Sequence, residues 1–201
     1  GSILKTYPEE SIFIICDSCL NDSKFDYSEK FKLIYKYKHV FIDGGIESKL
    51  LFNYQKILKL LIDNKIKRDG VIVGIGGGVI GDISGFVAST FQRGIDLIHV
   101  PTTTTAMIDS AVGGKTGLNF GGQVNLIGTY YNPKSIFMDL EFLMTLNIRD
   151  YYAGICEAIK MSITSDLDMF NRLFILSTKI KNRDMNTLEE LIYWSILTKL
   201  K

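Results

Sequence analysis

Apolar and polar positions fall into blocks along the chain, and the block lengths predict its elements. Ser11–Cys16 (SIFIIC) is a short, nearly unbroken apolar run, the pattern of a strand buried on both faces, with Asp17 just past its end. His39–Ile42, Val71–Ile75, Ile95–Val100 and Ser135–Asp139 predict further strands, and Pro101 stops the one before it. Ser48–Ile66 carries apolar residues at 50, 51, 54, 57, 58, 61 and 62, which is helical spacing. A second helix is predicted from about Val79 to Phe91. Strands alternating with helices imply an α/β fold: a Rossmann-like parallel sheet with helices on both faces. After Leu146 the pattern changes, and Arg149–Thr164, Leu167–Ile180 and Met185–Leu200 read as helices with no strand between them. The expected organisation is an α/β domain over residues 1–147 and the start of an all-helical domain over 148–201. The chain ends inside a helical pattern, as a fragment would.

Composition narrows the function classes. The chain has 201 residues, 23 Lys+Arg and 22 Asp+Glu, for a formal net charge of +1. That balance gives no bulk attraction to nucleic acid or to an anionic membrane, so neither is expected as a partner. At 46% apolar the chain can bury a core, which excludes disorder as its ground state. No apolar run reaches the roughly 18 residues that span a bilayer. The three cysteines include a C-x-x-C at Cys16 and Cys19, but no second ligand pair accompanies it, so they read as ordinary thiols of a cytoplasmic protein. The two histidines, His39 and His99, lie in strand patterns and read as structural.

Thirteen of the 18 glycines lie between Gly74 and Gly128, which points to this segment as the site. Gly76-Gly77-Gly78-Val79-Ile80-Gly81-Asp82 follows a strand and opens a helix. Lacking Cβ atoms, such a turn brings backbone N–H groups against a pyrophosphate at the helix N-terminus. Pro101-Thr102-Thr103-Thr104-Thr105 ends the next strand and places hydroxyls at the same edge of the sheet. Gly113-Gly114-Lys115-Thr116 looks like the end of a P-loop, but Asp109 stands where the first glycine is needed, so a nucleoside triphosphatase is excluded. Lys115 on this loop remains a point charge for a phosphate. Glu157 and Lys160 share a helix face, which alone reads as a surface ion pair. Arg93-Gly94, before the fourth strand, reads by itself as a solvated turn.

Taken together, GGGVIGDISGFVASTFQRG (Gly76–Gly94), VPTT (Val100–Thr103), DSAVGGKTGLN (Asp109–Asn119), NLIG (Asn125–Gly128), FLMTL (Phe142–Leu146) and GICEAIK (Gly154–Lys160) resemble the 3-dehydroquinate synthase family of sugar-phosphate cyclases. The resemblance implies an NAD-binding α/β domain and a helical domain with most of the ligands to a zinc (or cobalt) ion. It implies conversion of 3-deoxy-D-arabino-heptulosonate 7-phosphate to 3-dehydroquinate and phosphate, through transient oxidation of an alcohol, elimination, re-reduction and an aldol closure. On that resemblance Gly77, Gly78, Val79, Ile80, Gly81, Asp82, Thr102 and Thr103 contact the cofactor, as does the turn Phe142, Leu143, Met144 and Thr145. Asp17 and Lys49 match more weakly at the adenosine and ribose end. Lys115 stands between cofactor and substrate, and Asp109, Asn125 and Lys160 contact substrate. Arg93 reaches the phosphate of a neighbouring subunit, implying a homodimer, and Glu157 is a metal ligand.

Three departures qualify the resemblance. Ile46 takes the place of an acid, with Glu47 one residue late, and Val124 replaces a lysine before the Asn of NLIG. Neither histidine stands where the family places a metal ligand, so the metal site is expected to be incomplete in this chain and the chain alone inactive. Competing readings are a polyol or alcohol dehydrogenase of the iron- or zinc-dependent group, another sugar-phosphate cyclase, and a non-catalytic dinucleotide-binding module. The DSAVGGKTGLN segment with Arg93 and Lys160 is a phosphate-directed set that a polyol would not need.

Overall fold

The computed structural model describes residues 3–21 and 34–201. Its first part is a five-stranded sheet of β1 (Ile12–Asp17), β2 (Lys38–Ile42), β3 (Val71–Gly76), β4 (Asp96–Pro101) and β7 (Ser135–Ile136). The strand order is β2-β1-β3-β4-β7 and every pairing is parallel. Side-chain direction alternates along each strand, so odd and even positions feed two cores. Phe13, Ile15, Ile72 and Leu97 face α1 (Leu51–Asp63) and α2 (Gly78–Thr90), packing on Ile57, Leu61, Ile80, Ile83 and Val87. Ile12, Ile14, Cys16, Val71 and Val73 face the other way, under the 3-10 turns Ile3–Thr6 and Ile34–Lys36. This is the α/β sheet that the block pattern predicts, with helical segments on both faces.

An antiparallel hairpin, absent from the sequence reading, joins β5 (Leu118–Phe120) to β6 (Gln123–Ile127). Its two-residue loop is Gly121-Gly122, with φ of 59° and 77°, the left-handed pair that a tight hairpin needs. The Asn119 N–H donates to the Lys49 carbonyl at 2.6 Å, tying the hairpin to the start of α1. The predicted strand Ser135–Asp139 shortens to two residues, which pair with β4.

The remaining chain is helical: α3 (Glu141–Thr145), α4 (Ile148–Ser165), α5 (Leu167–Ile175), α6 (Ser177–Lys181) and α7 (Met185–Lys199). Asn147, Asp166 and Asp184 begin α4, α5 and α7, each accepting the N–H three residues on. The predicted single helix Leu167–Ile180 is two helices parted at Leu176. Tyr151, Ile155, Leu173, Leu188 and Leu191 form a second core. Met107 and Ile108 join it from a π-helical turn, Ala106–Ser110, that follows β4. Gly154 makes this contact close, because a Cβ there would lie 2.5 Å from Thr104 and Thr105 backbone atoms. The end of β4 is thereby pinned to α4. Among the described residues, no helix is long and apolar enough to cross a membrane.

Candidate functional site

A cleft of about 560 Å³ opens where β1, β3 and β4 end. Parallel sheets bind ligands at this edge because the helix N-termini and strand-end loops converge there. Gly77 and Gly78 form its floor, with Val79, Thr102 and Thr103 beside them. Gly77 precedes α2 and supplies no side-chain cap, so the first N–H groups of a 13-residue helix stand without intrahelical acceptors. That is a ready anion site, and its floor lies low because no Cβ projects from it. A Cβ on Gly77 would meet Thr103 Cγ2 at 3.1 Å, and one on Gly78 would meet Ser110 Oγ at 3.0 Å. Thr103 Oγ1 accepts the Ala106 N–H at 3.2 Å, while the Thr102 N–H donates to the Gly76 carbonyl at 3.0 Å. Ile80 faces away from the cleft: its side chain is fully buried in the sheet core, packed under Gly76. Asp17 lines the cleft from the end of β1 and accepts the Cys19 N–H at 3.1 Å.

Next to the glycine turn lies a polar cluster. Lys49 is 4% exposed, and its ammonium donates to Asp82 Oδ2 and to Asn125 Oδ1. Three distant segments thus meet: the start of α1, the first turns of α2 and the β6 strand. Burial pushes the Asp82 carboxyl above the ordinary carboxylate range, and Lys49 opposes that rise. Asn125 holds φ of 56°, and its N–H donates to Asn119 Oδ1 at 3.0 Å.

Charged side chains also stand on and against the segment that follows β4. Asp109 sits on the π-helical turn, and Lys199 from the end of α7 bonds its Oδ1 at 2.8 Å. Lys115 is exposed on the loop after Gly113 and Gly114, whose φ values of 97° and 68° lie in the left-handed region that favours glycine. Sequence reasoning missed Lys199, because a lysine at the end of a helix carries no motif. It also missed Ser18, Gly44, Gly45, Asn147 and Asp150, which line the cleft.

Other predicted residues are placed less centrally. Phe142 and Thr145 line the cleft from α3, whereas Leu143 is buried in the helical core and Met144 is half-exposed. Glu157 and Lys160 pair with each other along α4. Arg93 is exposed with φ of 67°, at the far end of α2. That is ~20 Å along the helix axis from the glycine turn, too far to share this cleft. Among the described residues, no group of three His, Cys, Asp or Glu side chains converges as a metal site. Burial lowers His99 to about 4, so its imidazole is neutral near pH 7.

Comparison with known proteins agrees with this geometry. The family model described as 3-dehydroquinate synthase N-terminal matches residues 39–153. A curated 3-dehydroquinate synthase from Alkaliphilus oremlandii is 50% identical over 134 residues, 67% of this chain and 37% of that protein. The chain spans about half the length of the curated relatives it matches, reaching 55% for one from Clostridium botulinum. Among solved structures, a 2-deoxy-scyllo-inosose synthase complexed with carbaglucose-6-phosphate, NAD+ and Co2+ is 32% identical with a TM-score of 0.67, over 80% of this chain and 45% of that one. A 2-epi-5-epi-valiolone synthase from Streptomyces hygroscopicus subsp. jinggangensis 5008, with NAD+ and Zn2+ bound, has a TM-score of 0.87. It is 24% identical and covers 100% of this chain and 57% of that one, so its likeness is one of fold. Because the family match runs through β2, the glycine turn, the Lys115 loop and the start of α4, over more than half of the sequence, the chain belongs to the 3-dehydroquinate synthase family.

Proposed function

We propose that this chain is the cofactor-binding half of a 3-dehydroquinate synthase, a phosphate-eliminating carbon-oxygen lyase of aromatic amino acid biosynthesis. The observation that carries the reading is the uncapped N-terminus of α2, which opens into the cleft over Gly77 and Gly78 with Thr102 and Thr103 at its side. These residues fit NAD: the floor has room that a Cβ would take, and the free N–H groups suit a pyrophosphate. When bound, NAD supplies reversible oxidation of a secondary alcohol. Asp17 and Lys49 serve its adenosine and ribose end, and the Phe142–Thr145 turn forms a wall beside it.

The substrate in this reading is 3-deoxy-D-arabino-heptulosonate 7-phosphate. Lys115 and Lys160 offer point charges to its phosphate and hydroxyls, and Asp109 and Asn125 orient it by hydrogen bonds. Lys199 adds a cation beside Asp109. Zinc does not fit the described residues taken alone: Glu157 is one carboxylate, paired with Lys160, and a catalytic zinc needs about three protein ligands. Arg93, remote from the cleft of its own chain, supports a homodimer in which it serves the partner's phosphate. A cytoplasmic setting suits the three free thiols.

The test is a chimera of this chain with the C-terminal portion of the Alkaliphilus oremlandii relative. Phosphate release from the heptulosonate phosphate that needs NAD is the expected result. NADH accumulating with a simple polyol, without phosphate release, would replace this reading with a dehydrogenase.

A further inference from the structure

We propose that Arg183 is a positioning residue for the cleft, holding the Phe142–Leu146 turn in the arrangement that receives a dinucleotide; this rests on the NAD reading above. The turn is built on α3, a helix of only five residues, too short to be stable by its own hydrogen bonds. Its last carbonyls have no helical partners. Arg183 supplies them: Nη1 donates to the carbonyls of Leu143 and, at 2.8 Å, Met144, and Nη2 donates to the carbonyl of Leu146 at 2.7 Å. One planar fork therefore spans three orphan acceptors within four residues, which a lysine ammonium cannot match in geometry.

The clamp is itself braced. The guanidinium carbon lies 4.5 Å from the centroid of the Tyr151 ring. Tyr151 is fully buried, and its hydroxyl donates to the Ile180 carbonyl at 2.6 Å. The backbone of Arg183 follows α6 with φ of 55°, its N–H bonding the Ile180 carbonyl at 3.0 Å, and the Asp184 N–H bonding the Lys179 carbonyl at 3.0 Å. Glycine or asparagine is the usual occupant of such a left-handed cap. An arginine there accepts backbone strain, and the side-chain clamp supplies a reason for it.

Arg183 does not itself line the cleft, so it acts through the turn. Leu143 is buried in the helical core, while Phe142 and Leu146 pack against that core and, with Thr145, also line the cleft. Fixing the carbonyls between them fixes which side chains point which way. It also couples the helical part to the cofactor wall, since Arg183 belongs to the α6–α7 connection.

The experiment is calorimetric titration of NAD into the full chain and into Arg183→Ala, Arg183→Gly, Arg183→Lys and Leu188→Ala, with a thermal melt of each. Loss of the clamp is expected to weaken NAD binding about tenfold in the alanine and glycine variants, because the turn must then be ordered by the ligand. Arg183→Gly relieves the left-handed backbone, so it melts above Arg183→Ala while binding NAD as weakly. Arg183→Lys recovers part of the affinity. Leu188→Ala removes buried core bulk, lowers the melting temperature and leaves NAD affinity unchanged. Wild-type affinity in the glycine variant, or an equal loss in Leu188→Ala, would overturn the positioning role while leaving the NAD site intact. No NAD uptake by the folded wild-type chain would overturn the dinucleotide reading and this role with it.

Discussion

Lys49 shows what the sequence can and cannot say about a single residue. A lysine after Gly44-Gly45 was expected at the ribose end of the cofactor, but its partners, Asp82 and Asn125, lie 33 and 76 residues away and become visible only in the fold. Replacing Lys49 with Met leaves a buried carboxylate without its cation, which is expected to cost about 3 kcal/mol near neutral pH. Denaturant titration measures this, and Lys49→Met combined with Asp82→Asn should recover most of the loss; an additive double variant would contradict the pairing. Asp82 has a raised folded pKa, so protonation favours the folded chain, and the Lys49→Met deficit should shrink on acidification. His99 has the opposite sign. Its folded pKa of about 4 lies below the ordinary 6.5, so the folded chain refuses a proton that the unfolded chain takes up. Stability is unaffected by this group above pH 6.5 and is lost between there and pH 4, by about 3 kcal/mol in all. His99→Gln should flatten that part of the stability–pH curve, and an unchanged slope would contradict it. The sequence reading of His99 as structural agrees with this buried setting.

At the scale of elements, the long periodic blocks were legible because burial on both faces leaves an unbroken apolar signature. Strands β1, β3 and β4 and helices α2 and α4 fall within a few residues of their predicted bounds. The β5–β6 hairpin was not legible: its strands are three and five residues long, and β6 is almost wholly exposed, so no alternation marks it. NLIG was taken as a ligand motif, and its strand character was hidden. The threonine run reads as hydroxyls at the sheet edge, and nothing in it shows that the chain after it makes a π-helical turn that reaches into the helical core. That turn depends on Gly154. Gly154→Ala would push a methyl into the Thr104–Thr105 backbone and is expected to cost about 3 kcal/mol, with the loss read by denaturant titration. A stability within error of wild type would mean that α4 and the turn do not need this approach.

At the scale of the whole molecule, the cleft lies between two cores, one built on the sheet and one on the helices. The order of motifs along the chain revealed its family, because motif order survives where single residues such as Ile46 and Val124 depart. What order could not reveal was which motif residues converge. Lys199 reaches Asp109 from 90 residues away, whereas Arg93 stays outside the cleft. The outer faces of α5 and α7 carry exposed Leu167, Phe170 and Phe174, and Tyr193 and Leu197, at helical spacing. Those apolar stripes predict self-association, and a clean monomer by light scattering across a concentration series would count against it.

The central claim is that the glycine turn of this chain holds NAD. Calorimetric titration of the 201-residue polypeptide with NAD, in the presence and absence of zinc, tests it most directly. Saturable binding at one site per chain, indifferent to zinc and tightened by Val124→Lys, is the predicted result. A folded chain that takes up no NAD under either condition would contradict it.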